Sequence, residues 1–288
     1  MNIGAVFPQT EIGADAGAVR AYGEAVEALG FSHVLSYDHV LGADTSVHRN
    51  WQGPYDLHST FHEPLVMYGF LAGITRLGFV TGILIAPQRQ TALLAKQAAE
   101  VDLLSGGRLR LGLGIGWNEI EYDALGKEFS NRGRRLEEQI GLLRRLWTEE
   151  SVTFEGSYDR VVGAGLCPLP IQRPIPIWVG AMSAPALHRA GRLADGWFPQ
   201  AVPGHGLEEA TEHVRAGAVE AGRDPAAIGM EGRLNAGSSP EKLAQHVDRW
   251  REAGATHLSI NTMGAGLKGA DAHIEALRRA AEVVVTER

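Results

Sequence analysis

The chain has 288 residues, of which 44% are hydrophobic and 21% charged, and its net charge at pH 7 is -7. This composition is typical of a globular protein and excludes a disordered or fibrous one, while the negative charge argues against nucleic-acid binding. The single cysteine, Cys167, excludes an intrachain disulfide and a cysteine-based metal cluster, and it favours a reducing compartment.

The N-terminal segment, MNIGAVFPQTE, has neither the basic start nor the long apolar stretch of a secretion signal. A run of about 18 apolar residues occurs nowhere in the sequence, so no membrane-spanning helix is predicted. We therefore expect a soluble, cytoplasmic protein that binds a small-molecule substrate rather than a membrane or a nucleic acid.

Short segments rich in valine, isoleucine and leucine alternate with segments of helical periodicity, a pattern typical of βα units around a parallel sheet. Eight strands are predicted, at Asn2–Phe7, His33–Tyr37, Leu77–Leu84, Leu109–Leu113, Ile175–Val179, Gly196–Pro199, Ile228–Arg233 and His257–Asn261. With a helix after each strand, the sequence predicts the α/β class and a single (β/α)8 TIM barrel over residues 1–288.

A doubly wound nucleotide-binding fold is the alternative arrangement of such units. It would place Gly-x-Gly-x-x-Gly after the first strand, where this sequence reads FPQTEIG. Three alternating glycines, Gly112, Gly114 and Gly116, follow the fourth strand instead, and Trp117 stands where the last glycine of that motif would fall. The sequence therefore favours the barrel.

Two connections are too long to be plain barrel turns. Residues 40–63 follow strand 2 and carry aromatic residues and histidines, among them Trp51, Tyr55, His58 and His62. Because the loops after the strands build the active site of a barrel, we expect this insertion to be a substrate lid, with a decorative or dimer-forming loop as the alternative. The second insertion, residues 155–174, precedes strand 5 and contains Tyr158, Pro168, Pro170 and Pro174.

Asp38 and His39 directly follow strand 2, at the predicted barrel mouth. Histidine titrates near neutral pH, and a nearby carboxylate can fix its tautomer. We therefore predict a catalytic acid/base role for this pair, with a structural histidine at a strand end as the alternative reading.

The segment Gly180, Ala181, Met182, Ser183 lies between strand 5 and a helix start. Free backbone N–H groups and a serine hydroxyl at a helix N-terminus bind phosphate, a role that is compatible with Ser183 as a helix cap.

His58 and His62 are four residues apart, but HSTFHE lacks the glutamate of the His-Glu-x-x-His motif, so no metal site is predicted.

Three stretches carry a resemblance to a known family: LSYDHVL, TGILIAPQRQTALLAKQAAEVDLLSGGRLRLGLGIGWNEIEYDALG and IWVGAMSAPALHRAGRLADGWFP. The chain resembles the luciferase-like monooxygenase superfamily over nearly its whole length, and in particular its coenzyme F420-dependent oxidoreductases. The resemblance implies that Asp38 and His39 lie beside the redox ring, and that a non-prolyl cis peptide joins Gly82 to Ile83 behind it. The cofactor-binding residues that it implies are Phe7, Thr81, Gly82, Ile83, Gly116, Trp117, Asn118, Gly180, Ala181, Met182 and Ser183.

The sequence departs from the sugar-phosphate dehydrogenases of this superfamily at two places. Trp117 replaces their catalytic glutamate, and Gly42-Ala43 stands where they carry a tryptophan. Both differences argue against glucose-6-phosphate as the substrate, whereas the aromatic lid favours an apolar or planar one.

The predicted function is hydride transfer between coenzyme F420 and a small organic substrate, in a direction that the sequence leaves open. An FMN-dependent monooxygenase that uses O2 and a separate flavin reductase is the main alternative. A non-catalytic flavin-binding barrel is another, and a phosphosugar isomerase or metal hydrolase on the same fold is a third. We also expect a homodimer, both from the resemblance and from apolar helical faces on the outer ring.

Overall fold

The computed structural model describes residues 1–285, so the last three residues of the predicted domain lie outside the described part. The described strands are β1 (Asn2–Val6), β2 (His33–Ser36), β3 (Gly78–Thr81), β4 (Leu84–Ile85), β5 (Leu109–Gly114), β6 (Val152–Glu155), β7 (Arg160–Ala164), β8 (Ile177–Ala181), β9 (Gly196–Pro199), β10 (Gly229–Asn235) and β11 (His257–Asn261). All except β6 and β7 pair in parallel in the order β3-β2-β1-β11-β10-β9-β8-β5-β4. Strand β3 also pairs with β5, which closes the ring, and β4 continues the path of β3 along β5, so β3 and β4 together form one barrel strand. The predicted eight-stranded TIM barrel is confirmed.

Helices surround the barrel, and at least one follows each barrel strand. They are α1 (Ala16–Ala28), α2 (Pro64–Ala72), α3 (Thr91–Ser105), α4 (Glu119–Ala124), α5 (Arg132–Thr148), α6 (Ala184–Leu193), α7 (His205–Glu220), α8 (Pro240–Glu252) and α9 (Gly269–Val284). The Ser239 side chain caps α8 by accepting a hydrogen bond from the Lys242 N–H. Within residues 1–285, no helix is long and apolar enough to cross a membrane.

The third barrel strand is interrupted, so the continuous strand predicted from Leu77 to Leu84 is wrong. The implied cis peptide between Gly82 and Ile83 is present at the break, and the chain resumes as β4. Val80 pairs with Arg110 and Leu84 with Leu113, so four steps on this strand oppose three on β5. The extra residue forms a bulge, which re-aims the chain towards the barrel mouth.

The insertion before β8 contains an antiparallel hairpin, β6 with β7, which the sequence analysis did not predict. Side chains of the outer helices hold the insertion. On α5, the Glu138 carboxylate accepts hydrogen bonds of 2.8 Å from the N–H groups of Tyr158 and Asp159. On α3, the buried Asp102 carboxylate accepts hydrogen bonds from the N–H groups of Ile171 at 2.8 Å and Gln172 at 2.9 Å.

A buried polar cluster lies inside the barrel between β2, β5, β10 and β11. Glu231 Oε1 lies 2.8 Å from His33 Nε2 and accepts a 2.6 Å hydrogen bond from the Ser259 hydroxyl. Glu231 Oε2 lies 2.8 Å from Arg110 Nη2. Burial opposes ionisation of Glu231, but Arg110 and His33 more than offset it and hold the pKa of this carboxyl well below its usual range. Burial also lowers the pKa of His33, and that of the neighbouring His257 to about 3.

Candidate active site

The carboxyl ends of the barrel strands surround a cavity of about 590 Å³, a volume in the range of small-molecule sites. Most barrel strands and their following loops contribute to its lining, together with the lid. The lining residues are Thr10, Glu11, Tyr37, Asp38, His39, Pro54, Tyr55, Gly82, Ile83, Ile85, Gly116, Trp117, Gln200, Arg233, Asn261, Met263 and Gly264. Residues predicted from three separate stretches of sequence, among them His39, Ile83 and Trp117, therefore share one cavity.

Aromatic side chains surround the ring of His39 on one side of this cavity. Its ring centroid lies 5.1 Å from that of Tyr55, 4.9 Å from Phe61 and 5.4 Å from Trp117. Its Nδ1 lies 3.5 Å from an oxygen of the Glu121 carboxylate, and its side chain is only 10% exposed. A carboxylate at Nδ1 favours the proton there, which leaves Nε2 to take up or release a proton in the cavity.

Glu121, on α4, is the functional residue that the sequence analysis missed. Its buried carboxylate accepts hydrogen bonds from the backbone N–H groups of Val40 and Leu41 and, at 3.0 Å, from the side-chain amide of Gln88. Burial by itself raises the pKa of Glu121, but these bonds and His39 outweigh it, so the pKa lies below its ordinary value. Glu121 is therefore an anion at neutral pH.

The Asp38 carboxylate is turned away from His39. Its Oδ1 accepts a 2.9 Å hydrogen bond from Arg89, and its Oδ2 a 3.0 Å bond from the N–H of Ile85. Burial raises the pKa of Asp38 although Arg89 opposes the shift. Within the described part of the chain the carboxylate beside His39 is thus Glu121, and Asp38 instead fixes the backbone next to the bulge.

Ile83 forms a flat apolar wall of the cavity, and neighbouring glycines make room for it. A Cβ atom at Gly180 would lie 2.9 Å from Ile83 Cγ2, and a Cβ at Gly114 would overlap the same side chain. Gly116, which also lines the cavity, has a φ of +63°, a conformation that favours glycine. An apolar wall of this kind suits one face of a flavin or deazaflavin ring.

The end of β8 and the start of α6 offer hydrogen-bond donors outside the cavity. Ser183 precedes the helix, is exposed, and makes no side-chain cap bond, so its hydroxyl is available at the helix N-terminus. Ala181 is buried at the strand end, while Met182 is 78% exposed. None of these three residues lines the cavity, so they could contact only a part of a cofactor that extends beyond its ring.

Three residues implied by the resemblance lie behind the cavity wall. Phe7 is buried, with its ring centroid 5.4 Å from that of Tyr22. Thr81 donates a 2.7 Å hydrogen bond to the carbonyl of Gly112. The side chain of Asn118 caps α4 by accepting from the N–H of Glu121 at 3.4 Å. These residues support the site without lining the cavity.

The predicted lid residues take different positions. Tyr55 lines the cavity, and Trp51 supports it by donating a 3.0 Å hydrogen bond to the Tyr55 carbonyl. His58 is exposed, whereas the ring of His62 lies 2.9 Å from the carbonyl of Gly13, outside the cavity. Because residues 58–62 are not helical, the two histidines do not share a helical face. Among residues 1–285 no group of three or more His, Cys, Asp or Glu side chains could hold a metal ion.

The chain is similar to one known family and to several curated proteins. The profile of a family described as luciferase-like monooxygenase matches residues 2–283. An FMNH(2)-dependent dimethylsulfone monooxygenase of Pseudomonas putida is 32% identical over 216 residues, which are 73% of this chain and 59% of that enzyme. An uncharacterised protein of Mycobacterium tuberculosis is 29% identical over 230 residues, 78% of each chain. The match to the Pseudomonas enzyme therefore leaves about two fifths of that enzyme uncovered.

Solved structures of the same architecture span the full length of the chain. A monooxygenase from Streptomyces bottropensis superposes with a TM-score of 0.80 at 22% identity, covering 99% of both chains. An F420-dependent secondary alcohol dehydrogenase in complex with an F420-acetone adduct superposes with a TM-score of 0.81 at 18% identity, covering 100% of this chain and 99% of the other. At these identities, the likeness establishes the shared barrel fold.

Proposed function

Since the chain belongs to the luciferase-like monooxygenase family, whose members are FMN-dependent or F420-dependent oxidoreductases, we propose that it transfers hydride between coenzyme F420 and a small organic substrate. The observation that carries this proposal is the position of His39, which shares a cavity with the Ile83 wall and has Glu121 at its Nδ1. Reduction or oxidation of a polar C–O or C–N bond by hydride also requires a proton, and Nε2 of His39 is placed to handle it.

The residues at the cavity fit the cofactor in two places. Ile83 and Gly116 would seat the ring in the cavity, and the Ser183 hydroxyl at the start of α6, outside the cavity, would bind its phosphate. When bound, a deazaflavin supplies the hydride chemistry. The protein would orient the substrate beneath the lid, exclude water with Tyr55 and Trp117, and hold the proton at His39.

Cofactor titration tests this proposal directly. We expect purified protein to bind F420 tightly, and a His39→Asn variant to keep that binding while its hydride transfer falls by roughly 10²- to 10⁴-fold. Stopped-flow absorbance would measure transfer once a substrate has been found. Tight binding of FMN with no binding of F420 would overturn the proposal.

A change at the ring wall gives a second test. We expect Gly180→Ala to weaken cofactor binding at least tenfold, because the new methyl group would lie 2.9 Å from Ile83 and push it into the ring site. Gly141→Ala is the matched control, since Gly141 lies on α5 with nothing within 4 Å of the added Cβ. Equal cofactor affinity of the two variants, measured by fluorescence titration, would show that Ile83 does not contact the ring.

The second candidate is an FMN-dependent monooxygenase with a separate reductase. The match to the Pseudomonas putida dimethylsulfone monooxygenase favours it. The sequence identity to that enzyme is 32%, against 18% to the F420-dependent dehydrogenase and 22% to the Streptomyces monooxygenase of the same fold. In that case, we expect O2 consumption with reduced FMN and a sulfur-containing substrate. Comparing O2 uptake with anaerobic F420 turnover separates the two candidates.

A further inference from the structure

We propose that Arg233 and the polar residues around it bind an anionic oxygen group of the substrate, a carboxylate or a sulfonate. This inference deepens the proposed function, because it assigns the side of the redox cavity opposite the Ile83 wall. It predicts an organic acid with a short apolar chain that reaches towards His39 and Tyr55.

Arg233 is a cation without a carboxylate partner. It projects from β10 into the cavity lining, where its guanidinium donates to Gln200 Oε1 at 2.8 Å and to the Tyr37 hydroxyl at 3.3 Å. Among the described residues, no Asp or Glu oxygen lies within 4.0 Å of it. A partly buried guanidinium with only neutral acceptors keeps its remaining N–H groups for a ligand, and its planar fork matches a carboxylate or sulfonate.

The acidic residues of the same cavity are already engaged elsewhere. Asp38 pairs with Arg89 at 2.9 Å, and a Glu11 oxygen lies 3.2 Å from Nε2 of the buried His273. Neither carboxylate therefore neutralises Arg233. No direct ion pair cancels the charge of the guanidinium, which favours an anion beside it over a neutral or cationic group.

A second cavity of about 230 Å³ adjoins Arg233 and extends the same wall. Gln200, Asn235 and Asn261 line it, together with Trp250. The Trp250 indole N–H is buried without a hydrogen-bond partner, and the Asn235 carbonyl oxygen already accepts from the Asn261 amide at 3.2 Å. This leaves N–H donors and no carboxylate around the guanidinium, a set that suits a group rich in acceptor oxygens.

The substrate is a better source of this anionic group than the cofactor. Ile83 lies between β3 and β4, and Ser183 lies between β8 and α6, whereas Arg233 and Asn261 belong to β10 and β11. A ring seated on Ile83 would have its phosphate near Ser183, and the space beside Arg233 would remain for a second molecule.

Binding of probe anions tests the proposal. Butanoate and butane-1-sulfonate would be titrated by isothermal calorimetry into the wild type, Arg233→Lys and Arg233→Gln, with butan-1-ol as a neutral probe of the same chain length. We expect both anions to bind the wild type, their affinity to fall at least tenfold in Arg233→Gln and less in Arg233→Lys, and the alcohol affinity to be unchanged. Arg215→Gln, an exposed arginine on α7, is the control.

Each other outcome counts against the proposal. Failure of both anions to bind the wild type, or equal binding to Arg233→Gln in a correctly folded protein, overturns it. Loss of F420 or FMN affinity in Arg233→Gln without loss of anion binding also overturns it, because it assigns the arginine to the cofactor. Because anion binding is measured without cofactor, an Arg233-dependent signal in a protein that binds no F420 would refute the proposed function and leave this subsite standing.

Discussion

The Nδ1 atom of His39 lies beside a carboxylate from a different element, since His39 follows β2 whereas Glu121 belongs to α4. The two residues are 82 positions apart, and Glu121 lies inside a helix rather than at a strand end. The sequence places His39 at the barrel mouth because strand 2 ends there. It carries no comparable signal for Glu121, whose role depends on how α4 folds back over the start of the lid.

At this scale we predict that Glu121→Gln lowers turnover by about 10- to 100-fold, less than the roughly 10²- to 10⁴-fold that general acid–base catalysis is worth. The amide keeps an acceptor oxygen for the lid backbone but removes the negative charge beside His39, so the acidic limb of the pH–rate profile should move to lower pH. Glu119→Gln is the matched control, because Glu119 is exposed in the first turn of the same helix. An unchanged pH–rate profile in Glu121→Gln would refute the proposed influence of the Glu121 charge on His39.

Elements with strong periodicity and buried strands were predictable, and locally irregular ones were not. Strand Gly196–Pro199 was predicted with its observed bounds, and so was His257–Asn261. The hairpin β6–β7 was missed because its strands are mostly exposed and therefore lack the hydrophobic signal of the buried barrel strands. The hairpin and the loop after it depend on α3 and α5 for several backbone hydrogen bonds.

At the element scale we predict that Asp102→Ala destabilises the protein by about 1–3 kcal/mol. It would remove the buried acceptor for the N–H groups of Ile171 and Gln172, and with it two partly buried hydrogen bonds. Glu100→Ala on the same helix removes only an exposed pair with Lys96 at 3.8 Å and should change stability by less than about 0.5 kcal/mol. Urea denaturation measures the stability of both variants. Equal midpoints would contradict a stabilising contact between Asp102 and the insertion.

The barrel as a whole encloses ionisable groups whose pKa values depend on folding. Those of Glu231, His33 and His257 are all lowered in the folded protein. For each of these groups the unfolded chain binds protons at a higher pH than the folded chain, so stability is lost as pH falls. For the histidines this loss begins near their unfolded pKa of about 6.5, and for Glu231 near about 4.3.

We therefore predict that the free energy of unfolding falls as pH decreases from 7 to 5.5, with His257 contributing on the order of 1 kcal/mol. A His257→Gln variant should lose that part of the pH dependence, since glutamine does not titrate. His213→Gln, at an exposed position on α7, should keep it. Thermal denaturation at several pH values tests this, and parallel curves for wild type and His257→Gln would contradict it.

We propose that two copies of the chain form a homodimer through α2 and α3. Helix α2 contains no charged residue, although Val66 is 70% exposed and Phe70 is 39% exposed on its outer face, and Leu104 of α3 is also exposed nearby. A helix that is apolar on all sides is normally buried. A second copy of the chain would cover this face.

We expect Val66→Glu with Phe70→Glu to yield a folded monomer. Val219→Glu, at an exposed apolar position on α7, should remain dimeric. Light scattering measures the mass of each protein, and a wild-type monomer at micromolar concentration would refute the dimer.

We infer from the position of Glu121 that the predicted lid, residues 40–63, and His39 are coupled. One carboxylate receives the N–H groups of Val40 and Leu41, where the lid begins, and stands beside His39. Any displacement of the lid by about an ångström therefore disturbs the imidazole's partner at the same moment as it opens the cavity to water. Proton transfer would then occur only while the lid is closed over bound substrate. With the lid open and no substrate bound, His39 would lack its carboxylate partner.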